Sequence, residues 1–355
     1  MIPVKNIYHM LSYVFTALKK SNYENVETTA FASALDLYAE LLSIGITEQR
    51  KRGLNHAYVE TADELSVLRG RLDLTNTMRP RNQTRRKLAC IYEEFSVDSQ
   101  LNRILKATMR LLCREKSVND VQKKKLRQLL PYFGDVESID VRHINWKFRY
   151  DRNNQSYRML IGICYLIVTG CLQTTDDGSV RLMAFNDEKI MSWLYEHFIL
   201  AYYQKKHFHS LTVRAEEIKW QVSPSEANDS ALPNMRTDVT LRAKGNNNVL
   251  IIDAKYYTRN TADYYGKNQL HSANLYQIFS YVTNMQTAEP NRIVSGMLLY
   301  AKTDDPYQPH GTYHGSGKGY ILIRTLDLDC DWQQVEDQLD DIANSLANNI
   351  AKAIP

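Results

Sequence analysis

Disulfide pairing has little to work with in this chain. The five cysteines, Cys90, Cys113, Cys164, Cys171 and Cys330, are odd in number and widely spread, and none forms a Cys-x-x-Cys pair. That excludes a zinc finger or ribbon and a disulfide framework, and predicts reduced core thiols in a cytoplasmic protein. No apolar run reaches the roughly 18 residues of a membrane span. The longest, Met159 to Leu172, predicts a buried helix, and no membrane partner is expected. Met1-Ile2-Pro3-Val4-Lys5 has no signal-peptide character. A phosphate-binding loop is missing too. In Gly315-Ser316-Gly317-Lys318-Gly319 the residue after the lysine is Gly, and the required upstream Gly is absent, so the chain is expected to bind no nucleotide itself. Nor is there an excess of one charge. At a net +4, global charge does not demand a nucleic-acid partner, although clustered basic residues would permit one.

What is present suits two ordinary domains. With 355 residues, 44% of them hydrophobic and 24% charged, the chain can build two cores. The turn Asp176-Asp177-Gly178-Ser179 is the predicted boundary, giving domains 1–175 and 176–355. The first is expected to be mixed helical with a small β element. Helical spacing marks Ile7 to Val14, Phe31 to Gly45, Asp98 to Lys116 capped by Asp98 or Ser99, and Tyr157 to Leu172. Gln49 to Leu54 is expected to be a basic turn, and Val67 to Leu74 a strand. Met78 to Lys87 carries Arg79, Arg81, Arg85, Arg86 and Lys87. It is read either as a loop contacting phosphates or a partner, or as a plain solvated loop. The second domain is expected to be α+β or α/β, a mixed sheet flanked by helices. Ile190 to Tyr203 opens it, and Leu270 to Met285 follows with Leu275, Ile278, Phe279, Val282 and Met285 facing inward. Arg292 to Lys302 would then complete a parallel β-α-β crossover.

Chemistry concentrates in one hairpin. Val249-Leu250-Ile251-Ile252-Asp253-Ala254-Lys255 is an apolar strand ending in an acid and a base two residues apart, which therefore share a face. Thr237 to Arg242 precedes it across the turn Lys244-Gly245-Asn246-Asn247-Asn248, so Asp238 can reach the same face. Two carboxylates and a backbone carbonyl, that of Ala254, suit Mg²⁺, and a nearby ammonium suits a reaction on phosphate. Lys255 would orient the attacking water or stabilise the developing charge. Glu196, on the first helix of this domain, either completes the site or is a surface acid. Gln277 and Tyr281, one turn apart, are expected to point at DNA or at the metal site. The plainer reading of the hairpin is a surface salt bridge.

Asp238 and Asp253-Ala254-Lys255 resemble the Asp…Asp-x-Lys arrangement of the PD-(D/E)xK nuclease superfamily, with Thr237 where that pattern often has Pro. A more specific resemblance spans nearly the whole chain. It is carried by Ile2-Pro3-Val4-Lys5-Asn6-Ile7-Tyr8 with Met10-Leu11, Arg52-Gly53-Leu54, Gly70-Arg71-Leu72 and Leu101-Asn102-Arg103-Ile104-Leu105-Lys106. It continues through Leu232-Pro233, Asp238-Val239-Thr240, Asp253-Ala254-Lys255-Tyr256-Tyr257, His271-Ser272 and Asn274-Leu275-Tyr276-Gln277. Together these are similar to the McrC family, the nuclease subunits of McrBC modification-dependent restriction systems.

The resemblance implies a partner, McrB, a GTP-hydrolysing AAA+ protein that forms hexameric rings and reads methylated cytosine. It implies a chain that stimulates that GTPase and cuts double-stranded DNA, with GTP bound by the partner. The N-terminal half would dock on the ring and the C-terminal half would be the nuclease. Asp238, Asp253 and Lys255 match catalytic positions, and Gln277 a polar position after the core. Lys5, Asn6, Tyr8 and Arg52 fall in the stretches that would dock on the ring, although Asn6 and Tyr8 can equally satisfy a buried turn. The alternatives are a non-catalytic GTPase-activating scaffold with a vestigial nuclease fold, and a stand-alone nuclease. Against the latter, the sequence contains no evident DNA-reading module.

Overall fold

A computed structural model of the chain describes residues 2–19, 23, 26, 31–174, 180–182, 187–222, 232–264, 267–314 and 319–347. The predicted boundary turn at 176–179 and the glycine-rich loop at 315–318 lie outside the described residues. The chain divides into two compact units, 1–32 with 186–355, and 33–185. The N-terminal segment thus departs from the expected 1–175 grouping, and aromatic packing explains why. Helix α1 (Val4–Val14) sets Tyr13 with its ring centroid 5.7 Å from that of Phe198. The Tyr13 hydroxyl donates to Glu336 Oε1 at 2.6 Å.

Residues 33–185 begin with α2 (Ala34–Arg52), capped by Ser33, whose side chain accepts from the Asp36 amide. The helix runs through the expected basic turn. Arg50, Lys51 and Arg52 form its last turn, where cations complement the exposed carbonyls, and Gly53 ends it at φ 90. A three-stranded antiparallel sheet follows, β1 (Ala57–Leu65), β2 (Arg71–Leu72) and β3 (Leu88–Ser96), in the order β1-β3-β2. The strand expected over Val67 to Leu74 shrinks to β2, because Gly70 turns the chain at φ 67 immediately before it. After the short α3 (Leu74–Thr77), the basic stretch expected to be a loop contains α4 (Pro80–Arg85), with Pro at its first position.

The helices α5 (Gln100–Arg114), α6 (Asp120–Leu129) and α7 (Tyr157–Cys171) complete the core of this unit. Asn102, fully buried, ties it together. Its amide donates to Asn55 O at 2.8 Å and Val97 O at 2.7 Å, and its oxygen accepts from the Tyr157 hydroxyl at 2.8 Å. The strands β4 (Leu172–Thr174) and β5 (Val180–Leu182) pair after α7.

The other unit resumes with α8 (Asp187–Lys206), β6 (Leu211–Arg214), β7 (Glu217–Ile218), β8 (Met235–Arg236), β9 (Val239–Ala243) and β10 (Asn248–Lys255). Then come β11 (Thr261–Tyr264), β12 (Lys267–Leu270), α9 (Ser272–Ala288), β13 (Ile293–Ala301), β14 (Gly311–His314), β15 (Tyr320–Leu326) and α10 (Trp332–Ala347). Six strands form one mixed sheet in the order β14-β15-β13-β10-β9-β6. β10, β13 and β15 run parallel, as expected of a crossover through α9, while β9 returns antiparallel to β10.

Burial on both faces explains the unbroken apolar run of β10. Val249 and Ile251 join Leu298 and Ile323 in the core beneath Ile278 of α9. Helix α9 sits directly on β13 at Gly296, where an added Cβ would come within 2.6 Å of Ile278. Phe279 departs from expectation. It is 46% exposed, because the inward stripe of α9 is Asn274, Ile278, Tyr281 and Met285.

All five cysteines are free. Among the described residues, no helix is long and apolar enough to cross a membrane.

Candidate active site

The predicted acids converge because of the β9–β10 register. Ile252 pairs with Val239, the last ladder pair, so Asp238, just ahead of β9, comes level with Asp253. Asp238 Oδ2 accepts from the Ala254 amide at 2.9 Å. Asp253 is only 1% exposed, and Lys255 Nζ lies 2.8 Å from its Oδ2. Apart from that ion pair, neither Asp253 oxygen takes a hydrogen bond of good geometry. A buried carboxylate left this way is costly. Burial raises the Asp253 pKa, with Asp238 adding to it and Lys255 opposing. Burial likewise raises Asp238, against the Ala254 amide and Lys255. Two adjacent buried acids, each with its carboxylate form disfavoured by burial, suit a divalent cation, which would supply the compensating positive charge.

Lys255 is held in one direction by a chain of hydrogen bonds. The Tyr281 hydroxyl donates to Arg236 O at 3.0 Å, so its oxygen accepts from Gln277 Nε2 at 2.9 Å. That turns Gln277 Oε1 toward Lys255 Nζ, which donates to it at 3.0 Å. A carbonyl acceptor on one side and a carboxylate on the other keep the ammonium charged. The Lys255 pKa is raised despite burial, through Asp253. Tyr281 acts here through Gln277, holding the amide that faces Lys255. Its spacing from Gln277 is legible in the sequence, but its backbone partner Arg236 is not.

Glu196 joins the acids across an open cavity of about 280 Å³ lined by Glu196, His197, Leu200, Ala215, Arg236, Thr237 and Asp238. Burial and the negative charge of Asp238 raise the Glu196 pKa to about 7. His197 and Arg236 line this cavity and were not singled out from sequence. Both lie beside residues that were, one position after Glu196 and one before Thr237. His197 stacks on Trp193 at 3.9 Å and donates from Nδ1 to the Trp193 carbonyl at 2.8 Å. Burial lowers its pKa, so the ring is neutral near pH 7. Asp253 does not line the cavity. Among the described residues, no three His, Cys, Asp or Glu side chains form a ready-made metal cage. Ligands beyond the two acids would have to be a backbone carbonyl and water, as is usual for Mg²⁺.

The N-terminal candidates part company. Asn6 is 2% exposed, and its amide donates to Leu328 O and Cys330 O, both at 2.8 Å, so it satisfies a buried turn. The Tyr8 hydroxyl donates to Tyr23 O at 2.9 Å. Lys5 and Arg52 are exposed.

A mixed sheet whose central strands bring two acids and an amine to one end, with helices flanking, defines an α+β fold of the nuclease type. Within that class, the model of the McrBC 5-methylcytosine restriction system component family matches residues 5–301, and the chain belongs to this family. It is 27% identical over 344 residues to the type IV methyl-directed restriction enzyme EcoKMcrBC of Escherichia coli strain K12, covering 96% of this chain and 97% of that protein. Its fold is similar to a chain in a refined half-complex from a tetradecameric assembly of Thermococcus gammatolerans McrB AAA+ hexamers with bound McrC. The TM-score is 0.50 at 19% identity, over 96% of this chain and 76% of that one.

Proposed function

We propose that this chain is the Mg²⁺-dependent DNA endonuclease subunit of a restriction complex directed at 5-methylcytosine. It docks on a McrB-like AAA+ hexamer and stimulates that partner's GTP hydrolysis, while GTP stays on the partner. The relative's methyl-directed restriction and the solved assembly's McrB hexamers with bound McrC support this reading. The observation that carries it is the closeness of two buried acids, Asp238 and Asp253, with the ammonium of Lys255 2.8 Å from the Asp253 carboxylate.

Asp238, Asp253 and the Ala254 carbonyl would hold the Mg²⁺, which when bound polarises the scissile phosphodiester and acidifies water. The remaining work falls to the chain. Lys255, oriented by Gln277, stabilises the negative charge that develops on the phosphate or aligns the attacking water. Glu196, with a pKa near the working pH, is placed to accept or return a proton. Arg236, at the cavity wall, meets the DNA backbone. Of the docking candidates Lys5, Asn6, Tyr8 and Arg52, Lys5 and Arg52 are exposed, Tyr8 is half-buried and Asn6 is buried, which favours the first two.

The test is cleavage of methylated DNA by the purified chain with its McrB-like partner, Mg²⁺ and GTP. Cleavage that needs all of these supports the reading. Partner stimulation without any cleavage would support the scaffold alternative instead.

A further inference from the structure

Thr237 occupies the position where the superfamily pattern often carries proline. Its surroundings show how a threonine fixes the backbone there. Its amide donates to Glu216 O at 2.9 Å, and its Oγ1 accepts from the Glu216 amide at 2.9 Å. The Thr240 hydroxyl lies 3.0 Å from the same Oγ1. Thr237 is 2% exposed and Thr240 fully buried, so no solvent replaces these bonds. A proline would have neither the amide hydrogen nor the hydroxyl.

Glu216 is itself anchored. Arg242 grips its carboxylate with two bonds, at 2.8 and 2.7 Å, and reaches Glu289 at 2.7 and 2.8 Å. The anchor therefore joins the strand pair β7–β8, strand β9 and the C-terminal end of α9. The N-terminal side of Asp238 is fixed through this anchor, and its carboxylate is fixed by the Ala254 amide.

We propose that Thr237 is the positioning residue for Asp238: its hydroxyl and amide, locked to Glu216, hold that carboxylate where it shares a divalent cation with Asp253. The proposal rests on the metal-binding reading above. Loss of the hydroxyl leaves the Glu216 amide without its acceptor and lets the turn ahead of Asp238 shift. Outer residues that orient a metal ligand commonly contribute about ten-fold or more to metal affinity.

The experiment is calorimetric titration of the full chain with Mn²⁺, alongside its melting temperature. The wild type is compared with Thr237→Val, Thr237→Ser and Asp253→Asn. Valine keeps the shape and loses the hydroxyl, so Mn²⁺ affinity should fall by about ten-fold, and serine should restore most of it. Valine binding Mn²⁺ like the wild type, or serine rescuing nothing, overturns the proposal. Should the valine variant fail to fold, Thr240→Val carries the test: it removes the neighbouring hydroxyl and should weaken binding measurably, and unchanged affinity overturns the proposal. Asp253→Asn binding Mn²⁺ as well as the wild type would remove the metal site itself, a failure distinct from that of Thr237.

Discussion

Gln277 presents its side-chain oxygen, not its nitrogen, to Lys255, at 3.0 Å. The orientation is imposed from behind by Tyr281, whose only proton is committed to the Arg236 carbonyl. Gln277→Leu removes the acceptor and should lower the cleavage rate about ten-fold while leaving metal affinity near wild type. Tyr281→Phe frees the amide to rotate and should have a smaller effect in the same direction. Rate constants at saturating Mg²⁺, set against Mn²⁺ titration, check this. Equal losses in both quantities would show that Gln277 supports the metal rather than the lysine.

Glu196 predicts a pH signature of stability. Its pKa rises from 4.5 to about 7 in the fold, so the folded state holds the proton more tightly than the unfolded chain does. The sign follows. Its contribution is favourable at low pH and is lost as pH climbs from the ordinary value toward about 7, with little further change above. In a chelator, Glu196→Gln should flatten the decline in melting temperature across that window. A variant whose pH profile parallels the wild type contradicts the assignment.

Asn6 and Lys5 should separate structure from docking. Asn6→Ala strips the buried Leu328 carbonyl and the part-buried Cys330 carbonyl of their donor and should cost about 1–3 kcal/mol of stability. Lys5→Ala and Arg52→Ala alter exposed side chains and should leave the melting temperature within about a degree or two, since surface substitutions rarely exceed ~0.5 kcal/mol. Their effect belongs in the partner's GTPase stimulation. Unchanged stimulation in both variants removes them from the docking surface.

Much of the site was legible in the sequence because strand periodicity is strict. Asp253 and Lys255 share a face by spacing alone, and the Lys244 to Asn247 turn fixed which acid would meet them. The rest depended on tertiary contacts that carry no local pattern. Glu216 binds Thr237 from 21 residues away, and Asn6 meets Leu328 across 322. Local reading also missed how α2 continues through Arg50, Lys51 and Arg52, since a cluster of cations looks like a turn until the helix dipole is considered. Phe279 fits an apolar stripe, and spacing alone turns it inward. The actual stripe includes Asn274 and Tyr281, polar residues whose partners Tyr300 and Gln277 make their burial tolerable.

The central claim is that Asp238, Asp253 and Lys255 form a cutting site separable from partner activation. Its most direct test is one reaction with wild type and Asp253→Asn, each with the McrB-like partner, methylated DNA, Mg²⁺ and GTP, reading cleavage and GTP hydrolysis together. The account predicts that the variant loses cleavage and keeps GTPase stimulation. Cleavage that persists, or both activities lost in a variant that still folds, would contradict it.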